Sequence, residues 1–325
     1  MNVLVTGGAG YIGSVVAAEL LRDGHDVVVY DNLSRGHNAA VPRGATFIQG
    51  DLFNDAVLVR TLREHAVEAV MHFAAHSLVG ESVREPALYF RNNVAGTLHL
   101  LDAMRAAGVS RLIFSSTTAV YGQPEATPIT EDAALRPINP YGESKLMVET
   151  VLRRYDEAYG LRSVSLRYFN AAGAAGELGE DHHPETHLIP LVLAVALGHA
   201  HSVSIYGTDY PTPDGTAVRD YIHVADLARA HIMALDVTRE RSAVYNLGNG
   251  TGFSVRQVVE AARRVTGHPI PAEETARRPG DPAVLVASST RIQRDLAWHP
   301  QLPDIEQIIA TAWDWHRAHP HGYTQ

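Results

Sequence analysis

The residues Gly7-Gly8-Ala9-Gly10-Tyr11-Ile12-Gly13 follow directly on the apolar run Val3-Leu4-Val5-Thr6. A strand that ends in glycines at this spacing and runs into a helical pattern over 12–23 has few folds open to it. Gly7 permits a tight turn, Gly10 lets the backbone approach a pyrophosphate, and Gly13 lets the helix pack close to the sheet. The helix N-terminus then aims free N–H groups at phosphates. A strand pattern over 27–30 ends in Asp31, about twenty residues beyond the last glycine, where a carboxylate accepts hydrogen bonds from an adenosine ribose and repels a 2′-phosphate. This favours NAD over NADP, although Arg35 stands close enough to leave NADP open.

Further strand patterns lie at 46–49, 69–73, 111–115 and 163–168, with helical patterns between them, including 86–107 and 139–159. Short, nearly all-apolar strands alternating with helices indicate a parallel sheet covered on both faces. Right-handed crossovers make it a doubly wound, Rossmann-type α/β sheet. After Asn170 the texture changes. Residues 171–185 and 206–220 read as functional loops, and strand patterns return at 203–206 and 244–247. The expected organisation is a dinucleotide-binding domain over 1–180, to which later strands near 203–247 return, and a smaller mixed α/β substrate domain over 181–325.

Composition narrows the function. A net charge of −9 argues against a broad nucleic-acid surface. The chain has no cysteine, which excludes disulfides and thiolate metal sites. It starts on a strand and carries no apolar run of spanning length, so a cytoplasmic protein with no membrane partner is expected. The 18 histidines are scattered, and the dense group His182, His183, His187 sits in a loop rich in glycine, proline and acids. A solvated or substrate-facing loop is the expectation there, with no metal.

Other strand ends carry acids or small residues suited to a cofactor. Gly50-Asp51 could meet the adenine, and Phe73-Ala74-Ala75 suits a backbone passing close to the dinucleotide. Asn139-Pro140 is a helix start, which puts Tyr141 and Lys145, four apart, on one face. A tyrosine with its ordinary pKa of ~10 is a poor base at neutral pH. A neighbouring lysine ammonium and a cationic nicotinamide favour the phenolate. Tyr141 could then take a hydroxyl proton while hydride leaves the same carbon, just past Ser115-Ser116-Thr117.

With these motifs the chain resembles the extended short-chain dehydrogenase/reductases, and within them the nucleotide-sugar 4-epimerase branch. The resemblance covers nearly the whole chain. Its most specific carriers are Arg167-Tyr168-Phe169-Asn170, Asp209-Tyr210-Pro211-Thr212, Arg219-Asp220-Tyr221-Ile222-His223-Val224, Tyr245-Asn246-Leu247-Gly248 and Arg278-Pro279-Gly280-Asp281. It implies Tyr141 as catalytic acid and base, Lys145 as its partner, and Thr117 as the hydroxyl bridging the sugar and the tyrosine. It places Gly7, Gly10, Tyr11, Ile12, Gly13, Asp31, Asn32, Ser34, Asp51, Leu52, Phe73, Ala74, Ala75, Asn92, Ser115, Tyr168 and the catalytic pair around NAD. It places Asn170, His187, Leu188, Tyr206, Arg219, Arg278 and Asp281, with Thr117 and Tyr141, around a UDP-hexose. Two positions depart from the pattern: Ser77 stands where some members have a lysine, and His187 where others have an asparagine.

The implied reaction interconverts UDP-galactose and UDP-glucose by transient oxidation at the sugar 4-carbon, with NAD tightly bound. Related dehydratases place an Asp-Glu pair after the threonine, where this chain has Thr118 and Ala119, so no 4-keto-6-deoxy product is expected. Ala119 also argues against the related decarboxylases. Leu285 falls where a bulky aromatic would exclude N-acetyl sugars, which implies additional activity on UDP-N-acetyl sugars. A non-catalytic dinucleotide sensor is the rival class, and Thr117, Tyr141 and Lys145 stand against it. The resemblance also implies a homodimer joined through the helices at 86–107 and 139–159, whose apolar faces alternatively pack on their own sheet.

Overall fold

The computed structural model describes residues 1–278 and 281–323. The chain runs β1 (Asn2–Thr6), α1 (Tyr11–Arg22), β2 (Asp26–Asp31), β3 (Thr46–Gln49), α2 (Asp55–Glu64), β4 (Ala69–His72), α3 (Val79–Arg84), α4 (Pro86–Tyr89), α5 (Gly96–Ala107) and β5 (Arg111–Ser115). It continues with α6 (Pro140–Tyr159), β6 (Arg162–Tyr168), β7 (Asn170–Ala172), α7 (Leu188–Ala196), β8 (Val203–Tyr206), β9 (Val218–His223), α8 (Val224–Val237) and β10 (Ala243–Leu247). The remaining elements are β11 (Gly252–Ser254), α9 (Val255–Thr266), β12 (Ala272–Thr275), β13 (Val284–Leu285), α10 (Thr290–Leu296) and α11 (Ile305–Ala318).

Seven strands form one parallel sheet in the order β10-β6-β5-β4-β1-β2-β3. Successive side chains of each strand point to opposite faces, and both faces are apolar. On β1, Val3 and Val5 join Val15 and Leu20 of α1 and Leu227 and Leu235 of α8. Leu4, between them, joins Leu58, Leu100 and Val148 of α2, α5 and α6 on the other face. This two-sided burial is what the unbroken apolar strands require. At about 1.5–3 kcal/mol per buried large aliphatic side chain, the two layers dominate the stability of this half.

A second layer is built from β11, β9 and β13, with β7 pairing the end of β9. Helices α7, α9 and α11 pack a third apolar cluster around Tyr221 of β9. Asp220 of β9 ties these pieces together. It is fully buried, and its carboxylate accepts backbone N–H groups from Asn249 (2.8 Å), Gly250 (3.1 Å) and Ala287 (3.1 Å).

Three expectations change. The strand at 203–206 does not return to the large sheet: it pairs in parallel with β12 as a separate ribbon, while β10 takes the place beside β6. Residues 86–107 are not one regular helix, because Phe90–Ala95 widen into a π-helical turn between α4 and α5. There the Asn93 amide clasps the backbone of His76, accepting from its N–H at 2.8 Å and donating to its carbonyl at 3.0 Å. The loop at 171–185 is not wholly irregular, since its first residues belong to β7. Among the described residues no helix is long and apolar enough to cross a membrane.

Candidate active site

The carboxyl ends of the parallel strands and the second layer enclose one cavity of about 1510 Å³. Ligand sites of doubly wound sheets lie at this edge. Every residue singled out above for cofactor, substrate or chemistry borders it, Leu285 included. Pro279 and Gly280 lie outside the described residues.

On the dinucleotide side, Gly7 turns the chain with φ +71°, and a Cβ there would lie 2.5 Å from the backbone nitrogen of Ala74. A Cβ on Gly13 would lie 2.3 Å from the Gly7 carbonyl. Only glycine fits either position. A Cβ on Gly10, at the N-terminus of α1, would meet only the Gly7 carbonyl, at 3.4 Å, and Gly10 borders the cavity, so the cradle is open to a phosphate. At the end of β2, Asp31 is held rigidly: Oδ2 accepts from Ala9 N–H (3.0 Å) and Oδ1 from Leu33 N–H (2.8 Å). Asn32 Nδ2 donates to Asp51 Oδ2 (2.8 Å), placing two acids and an amide where an adenosine would sit. Arg35, which left NADP open, donates to Glu81 Oε1 (2.7 Å) and to the His183 carbonyl (2.8 Å). With its guanidinium so engaged, the set fits NAD. The side chain of Tyr11 is an exception within the cofactor group. Its hydroxyl is buried and donates to the Gly173 carbonyl (2.6 Å), tying α1 to the loop after β7.

The catalytic pair is placed by α6. Asn139 caps it through Gly142 N–H (2.9 Å), and Pro140 opens the first turn. Tyr141 and Lys145 then face β5. Lys145 is buried, donates from Nζ to the Ser115 carbonyl (2.8 Å), and lies 6.0 Å from the centre of the Tyr141 ring. Burial pushes its pKa down to about 7, against an upward pull from Glu149. Burial raises the pKa of Tyr141, while the Thr117 hydroxyl hydrogen-bonded to it favours the phenolate. Ser115 Oγ and the Tyr168 hydroxyl share a short hydrogen bond at the ends of β5 and β6.

Beneath this pair lies a network the sequence reading did not single out. Glu149, one turn beyond Lys145, is paired with Arg167 of β6, both side chains under a tenth exposed. Arg167 Nε donates to Glu149 Oε1 (2.9 Å) and Nη1 to the Tyr121 hydroxyl (2.8 Å), while Ser116 Oγ donates to Glu149 Oε1 (2.5 Å). Two signals point to it. Glu149 falls on the face of Tyr141 and Lys145, and Arg167 is a charge inside an apolar strand.

On the substrate side, Asn170 donates to the Asp220 carbonyl (3.1 Å). Arg219 is paired with Asp281, and the Arg278 guanidinium stacks 4.0 Å from the centre of the Tyr206 ring. His187 caps α7 just before Leu188, with Nδ1 3.0 Å from Glu180 Oε1 and 2.8 Å from Glu185 Oε1. Burial draws its pKa down, but the two carboxylates draw it further up, so it titrates well above an ordinary histidine.

Residues 3–248 match the model of the NAD dependent epimerase/dehydratase family. The chain belongs to that family. It is 53% identical to the UDP-glucose 4-epimerase of Halalkalibacterium halodurans, over 100% of this chain and 98% of the relative. The fold superposes with a TM-score of 0.94 on the UDP-glucose 4-epimerase of Brucella ovis in complex with NAD, at 51% identity, covering 96% of this chain and 97% of that one. The UDP-glucose 4-epimerase of Bifidobacterium longum in complex with NAD+ and UDP gives 0.94 at 40% identity, covering 99% and 100%.

One consequence of the buried lysine is measurable. The unfolded chain holds its lysine proton up to about pH 10.4, the folded chain only to about 7. Between these values the unfolded state binds more protons, so stability rises with pH by as much as about 1.4 kcal/mol per unit. In cofactor-free protein, urea midpoints at pH 7.5 and 9.5 should show this rise, and Lys145→Met should flatten it. Equal slopes in both proteins would remove Lys145 as the source.

Proposed function

We propose that this chain is an NAD-dependent nucleotide-sugar 4-epimerase that interconverts UDP-galactose and UDP-glucose. The observation that carries this reading is the presence in one cavity of Tyr141 and Thr117, the open glycine turn at Gly10, and the substrate-side arginines Arg219 and Arg278, with Lys145 buried under the tyrosine. The residues from 1–180 would hold the dinucleotide, and those from 181–325 would supply most of the grip on the nucleotide sugar.

The glycine turn at Gly7–Gly13 and Asp31 would hold NAD, which would supply a reversible hydride acceptor for the hydrogen of the sugar 4-carbon. The chain's residues handle everything else. Tyr141 takes the proton of the 4-hydroxyl and later returns it, and Thr117 bridges that hydroxyl to the tyrosine. While Lys145 keeps its proton, it stabilises the phenolate through the low-dielectric space between them. Arg219 and Arg278 suit the diphosphate, since a guanidinium offers paired donors to phosphate oxygens. The acids that would drive elimination are absent: Thr118 and Ala119 follow Thr117 and border the same cavity. A sugar held by few charged groups and a nucleotide held by many is the arrangement that lets a 4-keto sugar turn over without escaping.

Leu285 borders the cavity, and a leucine there, smaller than an aromatic ring, supports activity on UDP-N-acetylglucosamine. The large exposed apolar side chains Val83, Leu88 and Met147 on α3, α4 and α6 fit a second copy of this chain, and a mass in solution of two chains is the result to look for.

Purified protein with UDP-galactose and no added NAD should yield UDP-glucose. Tyr141→Phe should lower kcat by about 10²–10⁴ while keeping its bound NAD. A variant as active as the parent would take the proton transfer away from Tyr141. In the same assay UDP-N-acetylglucosamine should turn over, and Leu285→Tyr should suppress that activity selectively. Unchanged N-acetyl turnover in that variant would release Leu285 from the role.

A further inference from the structure

The segment between β7 and α7 gathers four metal-ligating side chains that the epimerase chemistry does not call for as a group. Glu180, His182, Glu185 and His187 come from eight consecutive residues, and one ligand atom from each lies within 4.8 Å of all the others. The contacts converge: Glu180 Oε1 is 3.1 Å from His182 Nδ1 and 3.0 Å from His187 Nδ1, and Glu185 Oε1 is 2.8 Å from His187 Nδ1. Four ligands at about 2.0–2.2 Å around a tetrahedral ion stand about 3.3–3.6 Å apart, so small movements of these side chains would complete a shell.

A second observation is the state of His182. Its Nδ1 is buried and makes no hydrogen bond, although Glu180 Oε1 is near, so a polar atom faces the cluster without an aligned partner. Such an atom is unfavourable unless something satisfies it. Glu180 itself is 6% exposed. The backbone around it is anchored from outside: Tyr323 N–H donates to Asp181 Oδ2 (2.8 Å), and Gly179 N–H donates to the Tyr323 hydroxyl (3.0 Å). The ligands are thus presented from a fixed frame rather than a free loop.

We propose that Glu180, His182, Glu185 and His187 form a closed, structural site for one divalent transition metal, zinc being the best match. Two imidazoles with two carboxylates suit zinc, whereas calcium and magnesium prefer all-oxygen shells. Four protein ligands leave no open position, which makes the site structural and not catalytic. The ligands bind a metal in their deprotonated forms, so zinc competes with protons for them. Because Glu180, His182 and His187 also border the cavity, the ion fixes the wall that leads into α7. Such a site departs from the expectation of a solvated or substrate-facing loop without metal, because the acids and histidines alternate so that the chain's own turn brings them to one point.

The test uses the protein with its bound cofactor, stripped by chelator, dialysed against Zn²⁺ and then against metal-free buffer, with zinc and protein counted by mass spectrometry. One zinc retained per chain is expected. His182→Ala and Glu185→Gln should each weaken zinc binding at least about tenfold while bound NAD stays at the parent level. His199→Ala, which breaks the exposed stacked pair His199–His321 (5.8 Å), should leave zinc content unchanged. Loading the parent protein with Co²⁺ gives a readout that needs no variant, an intense visible band of tetrahedral cobalt. No retained zinc, retention undiminished in both cluster variants, or loss with His199→Ala instead would overturn the site, as would a cobalt spectrum without tetrahedral intensity.

Discussion

The chemistry of this protein depends on α6 being held at one height against the parallel sheet. The Glu149–Arg167 pair does this from inside the protein, joining the helix to β6, with Ser116 and Tyr121 completing its hydrogen bonds. A buried ion pair contributes little net stability against an apolar equivalent, but losing one partner leaves an uncompensated charge at a cost of about 3–5 kcal/mol. Its value here is positional. One turn earlier, Lys145 is fixed to the Ser115 carbonyl, and another turn earlier Tyr141 reaches the cavity beside Thr117. Glu149 also opposes the burial that would otherwise discharge Lys145. One carboxylate therefore serves both the geometry and the charge of the pair.

The cavity has two unlike walls. The dinucleotide wall is made of strand ends and backbone, with Asp31 locked by two N–H groups and Arg35 committed to Glu81. Such a wall is rigid and suits a dinucleotide laid along it. The other wall comes from loops and short strands of the second layer, organised around the buried carboxylate of Asp220. Arg219 and Arg278 meet partners there already, Asp281 and the Tyr206 ring, which keep their guanidinium groups in place.

The parallel sheet was legible because its strands are short apolar runs whose two faces are both buried, and its glycine turn because backbone close approaches leave no alternative residue. The cap at Asn139 and the spacing of Tyr141 and Lys145 were legible for the same local reason. What was hidden depends on contacts distant in sequence. The run at 203–206 reads like any strand of the large sheet, and only its pairing with Ala272–Thr275 shows otherwise. Nothing local announces the π-helical turn at Phe90–Ala95, since it answers to the backbone of His76. The meeting of two imidazoles at Glu180 was invisible because a lone acid in a polar loop is ordinary until the fold brings them against it.

The central claim is that one cavity removes hydrogen from the sugar 4-carbon and restores it to the same carbon without exchange. UDP-galactose carrying deuterium at the 4-carbon tests this directly. Its conversion in ordinary water, followed by mass spectrometry and NMR of the product, should give UDP-glucose with the label fully retained at the 4-carbon. Loss of the label to solvent, or product formed in heavy water with new deuterium at that carbon, would contradict the account.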